Sequence, residues 1–357
     1  MDKKALIAMS GGVDSSVAAY LMIQRGFDCT GITMKLFNNE DIGISREKTC
    51  CSLEDVEDAR KVAHMLGIPF FVVNFTQDFK MRIIDRFIDV YRNGATPNPC
   101  IDCNRYMKFD KLLRRSKELD IDYIVTGHYA RIEYDAKTGR YLLKKAFDET
   151  KDQSYVLYSM TQEQLAHTLF PLGELHKTVV RDIANKQGFT NAKKRDSQDI
   201  CFVRNGDYAN FIGQYTGETY ESGDFIDIQG NVLGKHQGLI RYTVGQRKGL
   251  GLSLNKPMYV LSKNTQHNTV TLCEDSELHT KSFDAVDFNW IAIEKIERPI
   301  RIKAKIRYAH KPQYATAMQG SHDTVHIEFD EPQRAIAKGQ AVVLYDCDTV
   351  VGGGTIN

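Results

Sequence analysis

The chain has 357 residues, enough for two or three domains with well-buried cores. Its 47 Lys+Arg nearly cancel its 46 Asp+Glu, leaving a formal net charge of +1, so any basic surface for a nucleic acid has to be local. No stretch approaches membrane-spanning length and the N-terminal apolar run is too short for a signal peptide. Eight cysteines without a targeting signal therefore point to a reducing cytoplasm, where thiols pack, bind metal or catalyse.

In chain order, "KALIAM" reads as a short buried strand and "SSVAAYLMIQRG" as a helix stopped by Gly26. "CTGITMKLF" is a second strand. "SLEDVEDARKVAHMLGIP" is a helix with Ser52 as its cap, acids in its first turn, and Gly67 and Pro69 at its end. "FFVVNF" predicts a third buried strand, Gln77 to Tyr91 an amphipathic helix, "YMKFDKLLRRSKEL" another helix and "DYIVTGHYA" a strand. Strands alternating with helices predict a doubly wound parallel sheet, whose ligands sit at the carboxyl ends of the strands.

After about Arg204 the chain turns Gly-rich with short β-like runs, and from about Ser282 its runs alternate apolar and polar residues. The predicted fold is therefore an α/β nucleotide domain over residues 1–204, a small central domain over 205–281 and an antiparallel β-barrel-like domain over 282–357.

"SGGVDSS", Ser10 to Ser16, follows the first strand and opens a helix. Two glycines let the backbone approach an anion, and the helix N-terminus adds unpaired donors and a favourable dipole. Ser10 and Ser15 can add hydroxyl donors, and Asp14 can help place a magnesium ion. The Gly-Lys-Ser/Thr ending of a Walker A loop is missing, and so is the dinucleotide G-x-G-x-x-G pattern. The segment resembles the pyrophosphate (PP) loop of the ATP-pyrophosphatases, which cut ATP between the α- and β-phosphates and adenylate a carbonyl oxygen. That resemblance alone leaves several acceptors open, small metabolites among them.

Three cysteines bear on the acceptor: Cys100 and Cys103 in "NPCIDCN", and Cys201 in "RDSQDICF". A zinc site would want a second C-x-x-C pair, but Cys50 and Cys51 are adjacent. A thioredoxin-like pair would open a helix early in a βαβ unit, a context the two prolines do not supply. Two readings stay open. One is a persulfide relay between two cysteines; the other is an iron–sulfur site held by three.

"AMSGGVDSS", "MKLF", "CCSLEDVEDARKVAHMLGIP", "TPNPCIDCNRYMKF", "TGHYAR", "KDQSYVLY", "DSQDICF", "YTVGQRKGLG" and "VVGGGTI" stand in the order seen in the tRNA-specific 2-thiouridylases. The chain resembles that family over essentially its whole length. The resemblance implies 2-thiolation of the wobble uridine of tRNA, with Ala8, Met9, Ser10, Gly11, Gly12, Val13, Asp14 and Ser15 holding ATP and Met34 and Gly127 on its adenine side.

By the same resemblance Cys103 is the nucleophile and Cys201 the persulfide carrier, the two pairing in a transient disulfide. Asn98, Pro99 and Cys100 match the segment that meets the target base. His128, Lys151, Asp152, Gln153, Arg307, Tyr308 and Gln340 match tRNA contacts. The implied cofactors are ATP and Mg2+, with a [4Fe-4S] cluster on Cys100, Cys103 and Cys201 as the other option. The implied partners are the tRNA anticodon stem-loop and a persulfide donor, either a sulfur-relay protein or a cysteine desulfurase.

One position departs from the family pattern: many members carry an aspartate where this chain has Cys100, and a thiol cannot serve as a carboxylate base. From the residues themselves, "RIKAKIRYAHKPQ" and "NAKKRD" are basic runs able to meet phosphates, or equally well solvated edges. Cys29, Cys273 and Cys347 read as packing residues, His64 as a helix-face residue and Trp290 as packing in the β domain. The competing function is another PP-loop pyrophosphatase that amidates or ligates a small metabolite, which would leave Cys103 and Cys201 unexplained.

Overall fold

The computed structural model describes residues 3–38, 53–194, 200–203 and 206–357. Ser52, Cys50, Cys51 and the Arg195–Asp196 end of "NAKKRD" lie outside these residues. The chain forms two compact units. One comprises Met1–Ile83, Pro99–Gly206 and Asp348–Val351; the other comprises Ile84–Asn98, Asp207–Cys347 and Gly352–Asn357.

The first unit is built on strands Lys4–Ala8 (β1), Asp28–Lys35 (β2), Phe70–Asn74 (β3), Tyr123–Val125 (β4) and Thr168–Leu169 (β7), in the order β3-β2-β1-β4-β7. All four neighbouring pairs run parallel. The order reverses beside β1, so the crevice outside the ends of β1 and β4 is the topological switch point of the sheet. Leu6 and Ile7 are fully buried, each stabilising the fold by about 1.5–3 kcal/mol relative to exposure.

Helix Val13–Gln24 (α1) follows β1 and buries Val17, Ala18, Ala19 and Met22. These residues pack with Ala59, Val62 and Ala63 of helix Leu53–Met65 (α2), and with Val180 and Ala184 of a later helix. The small residues let α1 lie close to the sheet. Gly26, with φ +79°, and Gly67, with φ +69°, end α1 and α2 where the sequence places their stops.

Two expectations need correction. β3 is the edge of the sheet rather than a buried strand, and Phe71 (51% exposed) and Val72 (42% exposed) face out because no strand among the described residues lies beyond it. The run "DYIVTGHYA" is not one strand. β4 stops at Val125, residues 126–129 form the strand-end loop, and Ala130–Asp135 (β5) begins a hairpin with Arg140–Lys145 (β6).

Helix Thr76–Phe79 (α3), a π-helical turn Lys80–Ile84 and helix Asp85–Arg92 (α4) follow one another without a break, so the helix expected over Gln77 to Tyr91 is present with a π-helical turn inside it. Helix Pro99–Asp102 (α5) runs into a π-helical stretch, Cys103–Lys111, and then into Leu112–Glu118 (α6). Helices Gln162–Ala166 (α7) and Lys177–Lys186 (α8) complete the first unit.

The second unit contains helix Tyr208–Thr216 (α9) and a four-stranded mixed sheet ordered β10-β11-β8-β9. Its strands are Gly223–Ile226 (β8), Val232–His236 (β9), Tyr259–Asn264 (β10) and Thr269–Cys273 (β11). A barrel follows, formed by His279–Trp290 (β12), Ile300–Lys305 (β13), Gln313–Gln319 (β14), Val325–Arg334 (β15), Ala341–Asp346 (β16) and the barrel part of Thr349–Ile356 (β17). It is ordered β12-β15-β14-β13-β16-β17, and β17 pairs back to β12, so no edge is left open. The doubly wound α/β sheet, small central region and closed antiparallel barrel are the fold class read from the sequence.

Candidate active site

β1 ends at Ala8 and the backbone turns at once. Met9 N–H donates to Ile32 O (2.8 Å), and Thr33 Oγ1 donates to Met9 O (2.6 Å). Gly11 has φ +73°, and a Cβ there would stand 2.3 Å from the Asp55 carbonyl oxygen, so only glycine fits. Gly12 caps α1 without a side-chain hydrogen bond. The first-turn N–H groups of α1 and its positive dipole end are thus left for an anion. Ser15 Oγ donates to Gly12 O (3.0 Å) and accepts from Ser10 N–H (3.2 Å), which fixes the turn.

Val13 and Ser15 are buried at the start of α1, and Met34 is half-buried beside Leu6, Ile32 and Ile124. Gly127, in the loop after β4, lies directly against the phosphate loop. A Cβ at Gly127 would stand 2.7 Å from the Asp14 carbonyl carbon and 2.8 Å from Ser15 N. The structure therefore brings the predicted loop residues and Gly127 together at the switch point.

The side chains locking this loop were not singled out from sequence. Lys177 Nζ donates to both carboxylate oxygens of Asp14 (2.7 and 2.8 Å), and Tyr129 OH donates to Asp14 Oδ1 (2.9 Å). Lys177 is buried at the first position of α8, where a cation opposes the helix dipole. That misfit was the legible signal.

Asn191 Nδ2 donates to Gly11 O and Ser16 Oγ (2.9 Å each), while its buried Oδ1 has no partner among the described residues. Lys194 Nζ bridges Asp55 (2.5 Å) and Asp58 (2.8 Å) and reaches Gly11 O at 3.5 Å. Burial works against the Lys194 ammonium, but the two carboxylates more than offset it and its pKa is raised.

Cys103 opens the π-helical stretch, and such turns recur at functional sites. Burial pushes its thiol up to about 11, with the Lys108 charge pulling the other way. The neighbouring Asn104 is buried and donates to Val156 O (2.9 Å). Lys108 Nζ lies 3.4 Å from His128 Nε2, and His128 Nδ1 lies 2.6 Å from Thr126 Oγ1. Burial, aided by Lys108, holds the His128 pKa well below its ordinary value. The ring is neutral, so Lys108 donates to Nε2 and the Nδ1 proton goes to Thr126.

Cys201 is half-buried, and the next residue, Phe202, packs edge-on against Phe79 (centroids 5.7 Å apart, 81°). Cys100 is exposed. Among the described residues no group of three or more His, Cys, Asp or Glu side chains is gathered to hold a metal. Cys29 and Cys273 are buried as expected, whereas Cys347 is exposed, with φ +53°, between β16 and β17 and does not pack.

The expected tRNA contacts are largely engaged within their own units. Asp152 accepts from Ala146 N–H, Ser154 N–H and Ser154 Oγ, and Gln153 Oε1 accepts from Tyr129 N–H (3.0 Å). The N–H of Lys151 donates to Asp148 O (3.0 Å). Gln340 Nε2 donates to Thr96 O (2.9 Å) and Pro97 O (3.2 Å), which fixes the approach to Asn98. Pro99 is buried at the start of α5. Arg307 donates to Ala335 O, and Tyr308 is 47% exposed.

Comparison with known proteins agrees from end to end. Residues 3–205 match the family profile described as tRNA methyl transferase HUP domain, 209–274 the tRNA methyl transferase PRC-barrel domain and 280–356 the aminomethyltransferase beta-barrel domain. The chain is 53% identical, over 100% of its length and 98% of the relative, to the tRNA-specific 2-thiouridylase MnmA of Clostridioides difficile. It is 50% identical to that of Acetivibrio thermocellus over 99% of both chains, and 48% identical to that of Clostridium acetobutylicum over 100% of both. No helix among the described residues is long and apolar enough to cross a membrane. The domain descriptions name a methyl transfer and the full-length relatives a thiolation; with identity near one half over whole chains, the relatives carry the assignment. The chain belongs to the tRNA-specific 2-thiouridylase family.

Proposed function

We propose that this chain is an ATP-dependent tRNA-uridine 2-sulfurtransferase. Full-length identity of about one half to relatives named 2-thiouridylase carries the reading. The phosphate loop and the thiols Cys103 and Cys201 are the chemistry that such a reaction needs. Residues 1–204 are assigned to catalysis, 205–281 to a central domain and 282–357 to the β-barrel domain.

In this reading residues 8–15 and Gly127 hold ATP, with Met34 toward the adenine. Magnesium would supply charge neutralisation on the phosphates, and Asp14 would approach it only by sharing its carboxylate with Lys177. Uracil C2 is a poor electrophile until O2 takes the adenylyl group and pyrophosphate leaves. A persulfide donor first places a sulfane sulfur on Cys201. Cys103 as thiolate then attacks Sγ of Cys201, the S–S bond breaks, and hydrosulfide is released as the Cys103–Cys201 disulfide forms. Hydrosulfide adds at C2, AMP departs, and a two-electron thiol reductant restores the cysteines.

This two-cysteine route is taken as the reading because it needs only Cys103 and Cys201, the two thiols that the family resemblance singles out. Asn98, Pro99 and Cys100 are assigned to the extruded base, and His128, Lys151, Asp152, Gln153, Arg307, Tyr308 and Gln340 to the tRNA around it. The test is thiolation of unmodified tRNA with ATP and a persulfide donor. Cys103→Ser and Cys201→Ser are each expected to abolish 2-thiouridine formation while tRNA still binds. Full activity in either variant, or pyrophosphate release that ignores tRNA and follows a small metabolite, would sink the proposal.

A further inference from the structure

Within the second unit a cavity of about 650 Å3 lies between the start of α9 and the segment "YTVGQRKGLG", Tyr242 to Gly251. Nothing in the thiolation chemistry accounts for that segment. Asp207, Tyr208 and Ala209 form one wall, at the N-terminal end of a nine-residue helix. The wall is firmly built: Tyr208 stacks on Tyr91 (centroids 4.5 Å apart, 13°), and its hydroxyl meets Thr243 Oγ1 at 3.1 Å.

The charges around the cavity are uneven. Among the described residues Asp207 is the one carboxylate on the lining, and its Oδ1 accepts from Asn210 N–H (3.0 Å) as the helix cap. Lys235 is on the lining and pairs with Asp224 (2.7 Å). Arg241 is also on the lining; its Nε donates to Gln237 O (3.1 Å), and no carboxylate among the described residues lies within ion-pair distance. Arg247 and Lys248, exposed on the same Gly-rich loop, likewise have no ion pair among the described residues. Behind the wall, half-buried Lys263 donates to Tyr242 O (2.9 Å) and has no ion pair among the described residues. Burial alone lowers its pKa to about 8.

A concave, polar site with uncompensated cations at a helix N-terminus favours an anion. The cations also continue from Arg241 inside the cavity to Arg247 and Lys248 outside it. That spread suits a polymer with phosphates at intervals better than one enclosed small anion. We propose that this cavity and its basic rim dock the sugar–phosphate backbone of tRNA, with Arg241 on one phosphate and Arg247 and Lys248 on its neighbours. The inference rests on the reading of the chain as a tRNA-modifying enzyme.

The experiment compares the full-length chain with Arg241→Gln and with Arg247→Gln/Lys248→Gln. It measures tRNA affinity across a salt series and kcat and KM for thiolation. Lys295→Gln, which removes another exposed charge, paired with Glu297 (3.5 Å), is the control. Each variant is expected to weaken binding several-fold and raise KM with kcat retained. The slope of log K against log salt should flatten by about 0.7–0.9 for each phosphate that the variant no longer neutralises. Unchanged affinity and slope alongside active wild-type enzyme would overturn the docking site, and so would an equal weakening in Lys295→Gln. Wild-type chain that neither binds nor thiolates tRNA would instead overturn the parent reading.

Discussion

Cys103 is poorly placed to ionise where it stands. With its thiol pushed up to about 11 by burial, only about one molecule in ten thousand is thiolate at pH 7. Alkylation of Cys103 in the resting protein is expected to accelerate about tenfold per pH unit between pH 7 and 10, because each unit raises the thiolate fraction tenfold. Mass-spectrometric rates of iodoacetamide labelling measure this, and a pH-independent rate over that range would contradict it. Lys108 favours the thiolate, so Lys108→Met is expected to slow labelling further. In the proposed relay, attack on Cys201 then requires substrate or a neighbour to lower that barrier. The Asp14–Lys177 pair makes a second prediction at this scale. Lys177→Met leaves the Asp14 carboxylate without its cation at the proposed phosphate loop and is expected to cut tRNA-dependent pyrophosphate release by about a hundredfold or more. It should cost about 1–3 kcal/mol of stability, below the figure for a fully buried pair because the Asp14 side chain stays 30% exposed. The double variant with Asp14→Asn should regain stability without regaining activity. Thermal melts and a pyrophosphate assay separate the two effects.

At the scale of elements, the switch point is made by two backbone passages that tolerate no Cβ. Gly11→Ala meets both a left-handed φ and the Asp55 carbonyl at 2.3 Å, whereas Gly188, with φ +68°, has nothing within 4 Å. Gly188→Ala is expected to cost about 1–2 kcal/mol from backbone conformation alone, and Gly11→Ala clearly more, with ATP binding abolished. Chemical denaturation and nucleotide titration of both variants test the contrast, and equal costs would show that the Asp55 approach is relaxed in solution. The strand–loop–helix unit was legible because its signals are local: a short apolar run, Gly-Gly, a first-turn aspartate and a stop at Gly26. Edge or centre was not legible for "FFVVN", since composition reports apolar content and not the number of neighbouring strands. The π-helical stretch at Cys103 was equally hidden, because adding a residue to one turn changes hydrogen-bond partners without altering residue preferences.

At the scale of the molecule, closure of the barrel by β17 against β12 sets a prediction with a built-in probe. Trp290, the one tryptophan of the chain, pairs with Gly352 across this seam and lies 4.4 Å, centroid to centroid, from Phe288. Deleting Gly352–Asn357 leaves β12 without that neighbour. It is expected to red-shift tryptophan emission and lower the barrel's melting temperature by several degrees. Unchanged emission would mean that the seam does not shield Trp290. The sequence by itself determined the family and the α/β-then-β architecture, and it singled out the Gly-Gly loop and the thiols Cys103 and Cys201 that the proposed function uses, because each stands out in short-range spacing or in the order of motifs along the whole chain. Only the tertiary structure decided that Lys177 and Tyr129 hold Asp14, that Asn191 and Lys194 hold the Gly11 turn, that Lys108 keeps company with His128, and that Arg241 borders a polar cavity. Those pairings join residues far apart in the chain. Their geometry follows from strand order and helix packing, which no local pattern of residue types encodes.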